Sequence, residues 1–172
     1  AIDSLNKAIR LKSNFHSAHL NLGMALAQKG ELKQAIVSYK NALKLKEDYL
    51  DAHINLGIAN LRDGNTNKAI SSFEQAIKID FSNAEAHSIL GKTLLFMGDY
   101  ERGWAESEYR LKKNSKLLHG FPTITLWDGG ELDKEENLLV VTEQGLGDTI
   151  QFMRYINVLE SMKINVSFCA QD

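Results

Sequence analysis

The chain has 172 residues, 44% of them hydrophobic, which is enough apolar surface to build one or two packed domains. Its 20 basic and 22 acidic residues leave a formal net charge of -2, which gives no reason to expect nucleic acid or an anionic membrane as partner. The single cysteine, Cys169, excludes an internal disulfide and fits a reducing compartment, and no apolar run has the length of a membrane span, so a cytoplasmic protein is expected.

In chain order, apolar residues recur at intervals of three and four, as in Leu20, Met24 and Ala27 or Ile70, Phe73 and Ile77. This spacing predicts helices over about 1–12, 16–29, 32–45, 50–63, 66–79, 84–97 and 100–114. The triplets Asn21-Leu22-Gly23, Asn55-Leu56-Gly57 and Ile89-Leu90-Gly91 repeat every 34 residues. At matching offsets Gly30, Gly64 and Gly98 close a first helix, Ala35, Ala69 and Gly103 open the packing face of a second, and Tyr39 and Phe73 follow one turn later. Small residues at a helix crossing allow close approach, and large ones fill the next layer. By the same phase Ala1, Leu5 and Ala8 fall on second-helix positions, so the array is expected to begin within a repeat, as part of a longer protein. Lys44, Lys46 and Lys78 gather where they oppose the negative ends of helix dipoles and read as a solvated face.

These repeated positions resemble the tetratricopeptide repeat over residues 1–117. The resemblance implies a mainly α fold, a superhelix of antiparallel helix pairs, with a peptide or protein ligand in a concave groove lined by the first helix of each pair. The family usually places Pro just after the second helix; here Ser13, Glu47 and Phe81 stand there, so Asp48, Ser82 and Asn83 are expected to end the helices. The fourth copy departs further. Ser107 replaces the aromatic and Arg110 the following small residue, which marks a terminal repeat, and the array is set at 1–118.

Residues 119–136 turn irregular, with the only proline, Pro122, and the turn Asp128-Gly129-Gly130, and read as a linker or cap. From 137 to 172 the period changes. Leu138 to Thr142 is a buried-type strand, Glu143 to Asp148 a glycine turn, Thr149 to Met162 a helix and Ile164 to Cys169 a second strand, the opening of a parallel α/β domain. Such a β-α-β unit leaves apolar faces uncovered, so it is expected to dock on the last repeat around Trp104 and Tyr109 or, preferably, to pair in a homodimer through its edges.

The run Leu126-Trp127-Asp128-Gly129, with Asn137 to Val141 and Glu143 to Phe152, resembles the start of a heptosyltransferase-like glycosyltransferase domain of two Rossmann-like halves. The resemblance implies that residues 126–172 open the acceptor half of a longer protein, with the nucleotide-sugar site outside this chain. It also implies that Asp148, in Leu146-Gly147-Asp148, deprotonates the acceptor hydroxyl in that protein. Asp148 with Gln151 equally makes a helix capping pair, and no turnover is expected of this chain alone. Gly145 and Gly147 read first as a turn requirement and second as a phosphate approach, since neither the third glycine of the dinucleotide fingerprint nor a P-loop Lys is present. Glu143 either lines the same cleft or ends the strand in solvent.

No cofactor or metal is expected. His19, His53 and His87 share one phase position but lie a repeat apart, where ligands of one ion cannot converge. Trp104 and Trp127 read as core or docking residues, and Met24, Met97, Met153 and Met162 as core. Asn21 and Asn55 hold the position that, in O-linked N-acetylglucosamine transferases, forms an asparagine ladder gripping peptide backbone; Ile89 interrupts it and leaves an apolar stretch. An amide both donates to a C=O and accepts from an N–H, which suits backbone recognition, though an asparagine bonded to its own helix is the plainer alternative. Two functions follow: an interaction scaffold, or the substrate-presenting arm of a glycosyltransferase.

Overall fold

The computed structural model describes residues 1–109, 130, 132, 137–141 and 153–169. They belong to two compact units, Ala1–Asn114 and Ser115–Asp172.

The first unit holds seven helices among its described residues: α1 (Ile2–Leu11), α2 (His16–Gln28), α3 (Leu32–Leu45), α4 (Leu50–Arg62), α5 (Thr66–Ile79), α6 (Ala84–Phe96) and α7 (Tyr100–Ser107). They pack chiefly as the pairs α2 with α3, α4 with α5 and α6 with α7. The turn inside each pair is set by backbone angle. Gly30, Gly64 and Gly98 have φ of 86°, 80° and 83°, and a Cβ at any of the three would meet nothing within 4 Å. The left-handed residue lets the next N–H reach back and satisfy orphan helix carbonyls: Glu31 N–H to Leu26 O at 2.9 Å, Asn65 to Asn60 at 2.8 Å and Asp99 to Leu94 at 3.0 Å. A Gly64→Ala variant gains no contact and loses none, so its expected cost of about 1 kcal/mol is the backbone penalty alone. The shift of its urea midpoint relative to the unaltered chain measures it.

The crossing inside each pair is set by space. An added Cβ at Gly23 would stand 2.6 Å from Tyr39 Cδ1, and one at Gly57 2.7 Å from Phe73 Cδ1. Tyr39 and Phe73 are thus seated flat against a helix that has no side chain at that point, and both are buried with Ala35 and Ala69 beside them. The third pair solves the same problem differently. With Ser107 in place of the ring, the backbones themselves close up: a Cβ at Gly91 would meet Ser107 Oγ at 2.6 Å and Gly103 O at 2.9 Å, and one at Gly103 would meet Leu95 N at 2.9 Å. The core runs between pairs as well as within them. One cluster joins Leu20, Tyr39 and Ala42 to Ala52 and Leu56, and another joins Phe73 to Leu90 and Leu94.

In the first two pairs the second helix ends at an extended residue, Lys46 (φ -146°, ψ 98°) after α3 and Asp80 (φ -136°, ψ 94°) after α5. Asp48 and Ser82, expected as the stops, lie in the turns that follow; the helices end two residues earlier, at Lys46 and Asp80. Asp80 Oδ1 accepts from Ser82 N–H at 2.9 Å, and Asn83 Oδ1 caps the start of α6 by accepting from Ala86 N–H. Trp104, expected as a core or docking residue, is 56% exposed and so not part of the core. Its counterparts Ile36 and Ile70 pack on clusters that include residues of the following pair, and no further pair follows α7 among the described residues. The four methionines are also exposed rather than buried. Met24 is not among the buried residues of α2, and Met97 is the C-terminal cap residue of α6.

In the second unit, β1 (Asn137–Val141) and β2 (Asn165–Cys169) pair in parallel, in register from Asn137 opposite Asn165 to Val141 opposite Cys169. Between them runs α8 (Ile156–Ser161). The long helix expected up to Met162 is interrupted by a turn at Arg154 and Tyr155. Its end closes like the turns of the first unit, but with a lysine in the left-handed region, Lys163 at φ 63°, and Ile164 N–H bonded to Leu159 O at 3.2 Å. Among the described residues this unit is a two-stranded parallel sheet with a short helix. No helix among the described residues is long and apolar enough to cross a membrane.

Candidate functional site

Helices α2, α4 and α6 are equivalent members of three successive pairs, so residues one period apart form rows across them: Asn21, Asn55 and Ile89; Met24, Ile58 and Lys92; Gln28, Arg62 and Phe96. Between α2 and α4 these rows border a cleft of about 150 Å³ whose lining includes Met24, Gln28, Asn55, Ile58 and Arg62, with Tyr39 of α3 at its base. Arg62 spans the cleft, its Nη1 donating to Ala27 O of α2 at 3.3 Å. Burial pushes the Tyr39 phenol above its usual pKa, and the Arg62 cation acts in the opposite sense. The base of the cleft is therefore a neutral, packed ring, and its polar character lies at the rim.

Asn55 lines the cleft, and its Nδ2 donates to Asp51 O of its own helix at 2.7 Å. Of its amide functions, one N–H and the carbonyl oxygen remain for a ligand. Asn21 is exposed one row-step away and is not part of the cleft lining. Ile89, expected to leave an apolar stretch, is instead half-buried and packed against two core clusters. Apolar surface on this face comes from Met24, 40% exposed, and Phe96, 84% exposed. The phase of Phe96 was legible; its exposure was not, because apolar residues at helical spacing are normally core.

A larger depression of about 460 Å³ lies between α1 and α3, with Leu22 and Leu26 beneath it. It is the weaker candidate. Lys29 on its rim is already paired with Glu31 at 2.5 Å, and the hydrogen bond to Glu31 raises the lysine pKa, so of its lining cations Lys29 is committed.

The three histidines do not converge, and among the described residues no group of three His, Cys, Asp or Glu side chains could hold a metal. Two of them instead tie the connection that precedes their own helix. His53 Nε2 donates to Glu47 O and His87 Nε2 to Phe81 O, both at 2.9 Å, at the two places where the family usually has proline. His87 carries a second bond, from Nδ1 to Glu106 of α7, and its ring stacks on Tyr109 with centroids 3.6 Å apart. Glu106 occupies the phase position of Ser38 and Ser72, whose hydroxyls only bond carbonyls of their own helix, so nothing in the repeat pattern announced this partner. Glu143, Gly145, Gly147, Asp148 and Trp127 lie outside the described residues.

Family models match the chain over residues 23–64, described as TPR repeat, and over 50–83, described as Tetratricopeptide repeat. Among solved structures, the chain is similar to a crystal structure of MamA, with a TM-score of 0.63 at 23% identity over 70% of each chain. A second MamA protein crystal structure aligns with a TM-score of 0.61 at 26% identity over 68% of this chain and 66% of that one. A tetratricopeptide repeat protein from Parabacteroides merdae ATCC 43184 aligns with a TM-score of 0.64 at 22% identity, over 70% of this chain but 48% of the other. No curated protein matches. With the 34-residue period, the left-handed glycine turns and the ring-on-glycine crossings, these likenesses lead to one statement of kind: residues 23–83 are tetratricopeptide repeats.

Proposed function

We propose that the chain is an interaction scaffold that binds an extended peptide segment across α2, α4 and α6. The observation that carries this reading is the cleft between α2 and α4, where Asn55 and Arg62 present donors beside Met24 and Ile58 above a closed base. Peptide backbone supplies C=O and N–H groups in alternation, which a row of amides matches irrespective of side chain. The test is calorimetry with a peptide selected against the full chain from a random display library. Replacing Asn21 and Asn55 together by alanine should weaken binding by about 1 kcal/mol per lost hydrogen bond, with an unchanged circular dichroism spectrum. Equal affinity for a peptide whose amide-shift footprint lies on α4 would remove the asparagines from the mechanism.

A second reading, the substrate-presenting arm of a glycosyltransferase, has the parallel pairing of β1 and β2 in its favour, since parallel strands joined through a helix are how such α/β domains begin. On that reading Asp148 is the acceptor base of a longer protein. Sugar transfer by that protein, abolished by Asp148→Asn with folding intact, is the result it requires; no transfer from any nucleotide sugar would leave the scaffold alone.

A further inference from the structure

We infer that the segment bound on this face carries an acidic residue, seated at Arg62, and a bulky apolar residue about three positions away, seated against Phe96. The inference rests on the scaffold reading and adds the chemistry of the partner. Gln28, Arg62 and Phe96 are one row, polar, cationic and aromatic in succession. Arg62 is exposed, and among the described residues it makes no ion pair; its Nη1 donates to Ala27 O at 3.3 Å, which orients the guanidinium and leaves its other donors available. Lys92, at the position of Ile58 one repeat on, is exposed and likewise without an ion pair.

The acids on these helices do not cancel the two cations. Asp51 and Glu85 lie in the first turns of α4 and α6, at the opposite ends, and Asp51 is eleven residues from Arg62. At 1.5 Å per residue that is roughly 16 Å, beyond the physiological Debye length of about 8 Å. Asp63, adjacent in sequence, accepts from Asn65 Nδ2 at 2.7 Å and forms no ion pair with Arg62. Arg62 and Lys92 are thus cations with no directly paired acid among the described residues, and a carboxylate is the complement that an arginine fork binds best. Phe96, 84% exposed where the earlier repeats have Gln28 and Arg62, supplies the apolar seat. Packed helices stand about 8–10 Å apart and an extended chain advances about 3.3 Å per residue, so neighbouring row positions are about three ligand residues apart.

Display of random twelve-residue peptides on the full chain, followed by fluorescence anisotropy of the best binder, tests this. The expected result is enrichment of Asp or Glu about three positions from Phe, Tyr, Trp, Leu, Ile or Met. Changing that acid to Gln should lower affinity about tenfold, Arg62→Gln should do the same, and the two changes together should cost little more than either alone. Phe96→Ser should weaken the unaltered peptide and spare one whose apolar residue is already Ser. Binders that footprint on α2 and α4 but show no acid preference, or tolerate Lys at the acidic position, overturn this inference and leave the scaffold reading standing. If no peptide is enriched, or all footprints lie between α1 and α3, both fall.

Discussion

Phe73→Ala is expected to lower the unfolding free energy by about 3–5 kcal/mol, the largest effect of any single change in the first unit. Phe73 is completely buried and seals Ala69 against Leu90 and Leu94, so the cavity left behind opens between two helix pairs. Its partner is Gly57, where Gly57→Ala is expected to cost about 1–3 kcal/mol, although alanine is ordinarily the better helix residue. The reason is steric: the added methyl would enter the Phe73 ring, and a ring seated on backbone has nowhere to retreat. The two changes should therefore couple. In the Phe73→Ala background the clash is gone, and Gly57→Ala should become neutral or stabilising by about 0.5–1 kcal/mol. Urea unfolding of the four chains, followed by circular dichroism, gives the cycle; additive costs would mean that ring and glycine do not define the crossing.

The second large effect is expected at Glu106. Both ring nitrogens of His87 face acceptors, Phe81 O and the Glu106 carboxylate, while the imidazole is only 1% exposed. Glu106→Ala leaves a buried ring nitrogen without a partner and should cost about 1–3 kcal/mol. Glu106→Gln keeps an amide within reach and should cost less. The loss should be local. Hydrogen exchange should quicken in α6 and α7 and hardly change in α2 and α3, because each pair contacts only its neighbours. Uniform acceleration along the array, or none in α6, would contradict this role for the pair.

These two cases also mark what the sequence discloses. Gly57 and Phe73 lie at fixed offsets in a 34-residue period, so their meeting was legible once the period was recognised, as were the glycine turns. Glu106 was not, because it departs from the period: Ser38 and Ser72 predict a hydroxyl bonded within its helix. Periodicity reports what every repeat needs, whereas a pairing used once leaves no second copy to compare. The same limit explains the candidate site. The phase placed Asn55 on the face of the cleft but overstated its freedom, since its bond to Asp51 O depends on side-chain geometry. It made Ile89 part of the groove, although the side chain turns into the core between α5 and α6. Met24 and Phe96 fit a core pattern and are on the surface, because which side of an apolar stripe faces the neighbouring pair is settled by packing. In the second unit the parallel strand pair was legible from two short apolar runs, and the break at Arg154 and Tyr155 was not.

The measurement closest to the central claim is an amide chemical-shift titration of the isotope-labelled full chain with a display-selected peptide. The scaffold account predicts saturable shifts concentrated at Met24, Gln28, Asn55, Ile58 and Arg62, with Lys40, Asn41 and Gln75 on the second helices unmoved. Saturable shifts confined to α3 and α5, with the α2 and α4 residues unchanged, would place recognition on the opposite face and contradict it.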